Sequence, residues 1–139
     1  MTSFRILASE RGDRGAIGRG LRAYNTARVG PSKWKPLTIV AREGRRIVGG
    51  LKGHSHWDWL FISLLWVDES HRGKGLGTRL VRLAEREARR RGCRSVWLDT
   101  FDFQAPRFYP KLGYRRFGKL EDCPVRGRTR QFFHRTLEP

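Results

Sequence analysis

Arg72, Gly73, Lys74, Gly75, Leu76 and Gly77 are the residues of this chain best suited to chemistry, and that chemistry is the binding of a phosphate. Glycine at every second position lets the backbone turn tightly and brings several N–H groups toward one point. A helix opens out of the loop through Thr78. The first turn of a helix has N–H groups without intrahelical partners and carries positive partial charge from the dipole. Arg72 and Lys74 add full charges, so the segment is a cradle for a phosphate or pyrophosphate.

The elements around the loop follow from periodicity. Trp59–Val67 (WLFISLLWV) is apolar on both faces, the pattern of a central, covered strand. After the loop a helix is predicted from Gly75 to Arg91, with Leu76, Leu80, Leu83, Ala84 and Ala88 as its apolar stripe and Gly92 as its stop. Arg79, Arg82, Arg86, Arg89 and Arg90 fall outside that stripe. Upstream, Phe4–Ala8 is a first strand, Gly15–Ala27 a glycine-weakened helix, and Lys35–Ala41 with Arg46–Leu51 a hairpin turning at Glu43-Gly44. Downstream, Ser95–Thr100 is a strand, Pro106–Leu112 a short helix, and Tyr114–Leu120 and Gln131–Leu137 the final strands. This order predicts an α/β or α+β domain with a mixed sheet.

At 139 residues the chain is expected to form one domain, residues 1–139. Hydrophobic content of 38% with 12% aromatics is that of a folded globule. No apolar run approaches the roughly 20 residues of a membrane span, and the N-terminus has no signal-like hydrophobic core, so a cytoplasmic protein with no membrane association is expected. Cys93 and Cys123 lack CxxC spacing and the four histidines lack metal-like spacing, so no metal site is expected. Thirty basic against 13 acidic residues give a net charge of +17, which attracts anions, nucleic acid and acidic partners. The basic residues are spread along the whole chain and 24 of them are arginine, a bias that base composition alone can produce. Nucleic-acid binding is therefore the lesser reading, because net charge speaks to association and not to chemistry.

Three nucleotide sites compete for the glycine loop. A Walker A loop fails because Lys74 is followed by Gly75 and not by Ser or Thr. A Rossmann or methyltransferase loop has Gly75-x-Gly77 and an acid, Asp99, about 20 residues on, but Leu80 holds the third glycine position. The third reading is coenzyme A. Here the chain resembles the GNAT superfamily of N-acetyltransferases, whose pyrophosphate loop follows Q/R-x-x-G-x-G/A, matched by Arg72 to Gly77. The second signature of that family is matched by Asp102, Ala105 and then Phe108-Tyr109-Pro110-Lys111-Leu112-Gly113-Tyr114. The resemblance is firm from Arg46 to Phe117.

The resemblance implies a mostly antiparallel sheet flanked by helices, with two central strands diverging into a V that holds acetyl-CoA as co-substrate. Leu65, Trp66 and Val67 would bind the pantetheine arm and the thioester carbonyl. Arg72, Gly73, Lys74, Gly75, Leu76, Gly77 and Thr78 would bind the pyrophosphate through their N–H groups. The reaction implied is direct attack of an amine on the thioester, with Tyr109 protonating the departing thiolate. Three departures stand out. Ser63 occupies the place where an acid is often found, leaving the base to a water chain or to an acid such as Asp58 or Asp99. Asp102 replaces the usual Asn, with Gln104 as the nearby amide. Pro110 falls inside the short helix, where it is expected to remove a backbone bond. The acceptor implied is a primary amine of a small molecule or protein, with an amine borne on tRNA or the ribosome as the variant suited to the charge. Acids at the strand ends (Asp58, Asp68, Glu69, Asp99, Asp102) would suit such an amine, although solvated turn residues look the same in sequence. Homodimers are common in the family.

Overall fold

The computed structural model describes residues 1–7 and 14–138. They fall into two compact units, Met1–Ser32 and Lys33–Pro139. The first contains helix α1 (Arg14–Val29), which ends where the Gly30 N–H bonds to the Thr26 carbonyl and Gly30 takes a positive φ. Phe4–Leu7, expected as strand, has no regular structure, and Ala8 lies outside the described residues.

The second unit holds one six-stranded sheet and the glycine-rich loop. Its strands are β1 (Lys35–Glu43), β2 (Arg46–His56), β3 (Trp59–Val67), β4 (Ser95–Phe101), β5 (Arg115–Glu121) and β6 (Thr129–Thr136), in spatial order β1-β2-β3-β4-β6-β5. All neighbours are antiparallel except β3 and β4. That exception follows from connectivity: a helix, α2 (Leu76–Arg90), carries the chain from the end of β3 back to the start of β4. A single turn of 3-10 helix (Glu69–His71) precedes α2, and a one-turn helix α3 (Phe108–Lys111) follows β4.

α2 lies on one face of the sheet. It buries Leu80, Val81, Ala84 and Ala88 against Leu37, Leu51, Leu60, Ile62, Val96 and Leu98. Each fully buried leucine or valine in such a core contributes about 1.5–3 kcal/mol. The stripe sits a little round the helix from the expected one: Leu83 is exposed, and Val81 and Glu85 are inside. Glu85 is tolerated there because its charge is met on all sides. Arg82 Nη1 donates to it at 2.9 Å, Arg135 Nη1 at 2.8 Å and the Tyr114 hydroxyl at 2.8 Å. Arg91 closes the other end of α2, donating to the Lys35 and Pro36 carbonyls, to Ser55 Oγ and to Glu87.

β3 is central in the sheet but covered less than its sequence predicts. Leu60 and Ile62 are buried, while Trp59, Leu64 and Trp66 are exposed. The apolar residues beyond Ile62 line a cleft instead of a second layer of core. Among the described residues no helix is long and apolar enough to cross a membrane.

Candidate active site

The cleft begins where two strands part. β3 and β4 pair from Trp59↔Ser95 to Ile62↔Leu98 and no further. β3 continues against β2 as far as Val67↔Gly49, and β4 against β6 as far as Phe101↔Arg130. Ser63 to Val67 therefore present one backbone edge with no strand beside it. A bulge starts the divergence: Lys52 pairs with Leu64 and Gly53 with Ile62, so Ser63 is an extra residue in β3. Its hydroxyl donates to the Lys52 carbonyl at 3.1 Å. A bulge bends its strand and increases local twist, which swings the end of β3 away from β4.

The glycine loop stands at the open end of that edge. Gly73 (φ 75°) and Gly75 (φ 82°) both take left-handed conformations that cost other residues about 1–2 kcal/mol. The Arg72 N–H is taken by the Glu69 carbonyl at 3.3 Å, and the Arg79 N–H closes the first helical bond on Gly75 O at 3.0 Å. Between them, among the described residues, the N–H groups of residues 73 to 78 have no backbone acceptor. The run of unpaired N–H groups thus begins at Gly73, one residue later than expected, since the Arg72 N–H is engaged.

Polar side chains pin the approach to the loop. Asp68 accepts from the Ser70 N–H at 3.2 Å, from the Ser70 hydroxyl and from Arg46 Nη2 at 3.0 Å. His71 bridges Ser70 Oγ (2.9 Å) and Glu43 Oε2 (2.7 Å), tying the turn to the end of β1. The His71 contact holds the Glu43 carboxyl below its usual range, and the Ser70 hydroxyl does the same for Asp68. Arg72 folds back, its Nε donating to the Val67 carbonyl at 3.1 Å.

The resulting cleft has a volume of about 720 Å³. Leu65, Trp66, Val67, Arg72, Gly73, Gly75, Leu76, Gly77 and Thr78 all line it, as does Tyr109 from α3. Lys74 does not line it. Tyr109 is 5% exposed and packs on Tyr114 and Phe133. Burial, reinforced by the charge of Asp99, pushes its hydroxyl up to about 12. Tyr109 therefore stays protonated through the neutral range, as a hydrogen-bond donor and never a base. Pro110 does not break α3. It is the third residue of a one-turn helix, where backbone N–H groups have no intrahelical acceptor in any case.

The acids separate cleanly. Among the described residues, Asp99 is the single acidic side chain on the cleft wall. Asp58 lies beyond the paired end of β3, beside Arg94 at 3.2 Å. Asp68 is spent on the turn, Glu69 and Asp102 lie off the wall, and Asp102 Oδ1 is buried without a hydrogen-bond partner among the described residues. Gln104 does line the cleft, its Oε1 accepting from the Phe101 N–H at 2.9 Å. Sequence reasoning missed Arg130, which holds Asp99 Oδ1 at 2.8 Å and whose guanidinium lies over the Phe101 and Phe132 rings. Nothing local marks Arg130; only the register of β6 against β4 brings the two together.

Relatives carry the same architecture. The acetyltransferase (GNAT) family matches residues 16–114. A blasticidin-S acetyltransferase from Streptomyces morookaense is 45% identical over 95 residues, which is 65% of this chain and 70% of that protein. The crystal structure of an acetyltransferase from Bacillus cereus superimposes with a TM-score of 0.87 at 36% identity, over 96% of this chain and 98% of that one. An aminoglycoside 6'-N-acetyltransferase solved with coenzyme A shares the fold, with a TM-score of 0.69 at 21% identity over 94% of this chain and 83% of that one. A parted pair of parallel strands, a glycine cradle at its mouth and a match across most of the chain lead to one conclusion: this chain belongs to the GNAT family of acetyltransferases.

Proposed function

We propose that this acetyltransferase moves the acetyl group of acetyl-CoA to a primary amine of a small molecule. The observation that carries this reading is the free edge of Ser63–Val67, with the unpaired N–H groups of residues 73–78 at one end and Tyr109 on the same cleft. An open strand edge suits pantetheine, which is itself a pair of amides. The N–H groups and Arg72 suit the pyrophosphate. Acetyl-CoA supplies the activated thioester; the chain supplies position and hydrogen bonds.

Tyr109 acts on the departing sulfur by hydrogen bond. A thiol ionises near 8.5, well below the 12 of buried Tyr109, so a complete proton transfer from tyrosine to thiolate runs uphill by about 3–4 units. The nitrogen provides the protons instead. An alkylammonium brings three: the amide keeps one, the thiol takes one and one is released to solvent. The relatives named for blasticidin S and streptothricin support a small-molecule acceptor.

The test is release of free thiol from acetyl-CoA across a panel of amines that includes blasticidin S, streptothricin and protein lysines. Thermal protection by acetyl-CoA is measured alongside. Turnover with a small amine and protection by acetyl-CoA are expected. Protection without turnover on any small amine would overturn the acceptor class, and absence of protection would overturn the donor.

A further inference from the structure

We propose that Asp99 receives the ammonium group of the acceptor, so that this enzyme selects cationic amines over neutral ones. The inference rests on the acetyl-transfer reading above and adds the acceptor's charge and its point of capture.

Strand alternation divides the cleft into two sides. Leu65, Val67, Leu98 and Thr100 take the α2 face, with the glycine cradle and Tyr109. Asp99 projects to the opposite face. It is therefore across the sheet from the cradle, at the point where β3 has moved away. One carboxylate oxygen, Oδ1, is held by Arg130 Nε at 2.8 Å. Among the described residues the other oxygen, Oδ2, has no hydrogen-bond partner and is not sealed from the cleft. Arg130 thus orients the group and leaves half of it available.

Trp97 and Phe101 flank Asp99 at two residues either way on the same face of β4, and Phe132 is its register partner on β6. The Arg130 guanidinium already lies over the Phe101 and Phe132 rings, so an incoming ammonium would be met by the free carboxylate oxygen and not by these aromatic faces. Of the charged or titratable groups around Asp99, Arg130 from β6 contacts it and Tyr109 from α3 feels its charge, while His71 and Arg72 from the loop line the same cleft. From β3, Ser63 to Val67 offer no charge at all. In a chain of net charge +17, a lone carboxylate on the cleft wall is the feature that would admit a cation there.

The experiment compares Asp99→Asn with the unaltered protein on two acceptors: a primary alkylamine, cationic at neutral pH, and an arylamine, neutral at that pH. A charge-assisted bond to a carboxylate contributes about 1.5–3 kcal/mol, so KM for the alkylamine should rise by roughly 10–100-fold. KM for the arylamine and the Kd of acetyl-CoA should stay within about twofold, since neither uses that charge. An unchanged alkylamine KM overturns the inference. So does an equal loss on both acceptors, which is the mark of a structural role. Should Asp99→Asn fold poorly, Asp99→Glu serves instead, with alkylamine selectivity largely kept; loss of that selectivity with acetyl-CoA affinity intact counts against it. A wild-type protein that binds acetyl-CoA and acetylates neither amine overturns the reading beneath, distinct from a failure of the Asn variant alone.

Discussion

Gly77 lies directly against the ring of Phe108: a Cβ on Gly77 would stand 3.3 Å from Phe108 Cζ. The loop and the helix carrying Tyr109 are thus in contact through a position where even a methyl group requires the Phe108 ring to yield by a few tenths of an ångström. Gly77→Val would drive a branched side chain into that ring and displace α3. We expect acetyl-CoA affinity and kcat to fall together, kcat by roughly 100-fold, the scale at which a shift of about 1 Å is felt in catalysis. Calorimetric titration and steady-state kinetics on the same preparation check it.

Gly75 poses a different constraint. A side chain there meets no atom within 4 Å, but its φ of +82° is unfavourable to any L residue. Gly92, with φ of +83° past the end of α2, is the matched control. Alanine at either position should cost about 1 kcal/mol of stability. Only Gly75→Ala should also weaken acetyl-CoA binding. Equal affinity in the two variants would separate the loop conformation from cofactor binding.

Arg72 and Lys74 look equivalent as charges and differ in placement. Arg72 lines the cleft and is tethered to the Val67 carbonyl; Lys74 is not on the wall. Arg72→Ala should weaken acetyl-CoA binding by roughly 10-fold or more at physiological salt, the weight of a charge-assisted contact. Lys74→Ala should change it by about twofold at most, because an exposed charge is screened.

Tyr109→Phe should lower kcat by roughly 10–100-fold, the worth of one hydrogen bond to a developing charge, and leave acetyl-CoA affinity unchanged. The same hydroxyl carries a stability signature. It ionises near 12 in the fold and near 10 when unfolded. Its contribution is fully present below pH 10 and is lost as pH climbs through 12. Denaturant melts between pH 8 and 12 should show the variant less sensitive to alkali than the parent, by about 2–3 kcal/mol at the alkaline end. Tyr114, pushed up by its burial and by Glu85, adds to the alkaline loss in both proteins.

Glu85 is buried and binds the exposed Arg82, the partly buried Arg135 and the buried Tyr114. Glu85→Gln removes the counter-charge of Arg82 and Arg135, which keep access to water, and should cost about 1–3 kcal/mol, seen as a drop in Tm. Acetyl-CoA affinity measured well below that Tm should be unaltered, since none of these residues lines the cleft.

What the sequence made legible was local or periodic. β3 runs over the predicted Trp59–Val67, and α2 begins one residue from its predicted start, because apolar spacing and glycine punctuation act over a few residues. The diverging strands were implied by family resemblance and are present at Ile62/Leu98. The rest depends on distance along the chain. Arg130 reaches Asp99 across 31 residues, and the extra residue at Ser63 is visible only in the register of β3 with β2. Val81 and Glu85 inside α2 in place of Leu83 show the same limit: partners, not the helix's own pattern, decided which side turned inward.

The bulge at Ser63 makes the register of this sheet a matter of a single amino acid. With Ser63 retained, flattening the bulge would slide β3 by one residue against β2, setting Ser63 opposite Lys52 and Leu64 opposite Leu51, and side-chain alternation would then be re-phased from that point on. Leu65 and Val67 would turn out to solvent while Leu64 and Trp66 turned in toward α2. The fold therefore cannot mend its open seam without exchanging inside for outside along the same strand, so the gap is protected by the very core it interrupts.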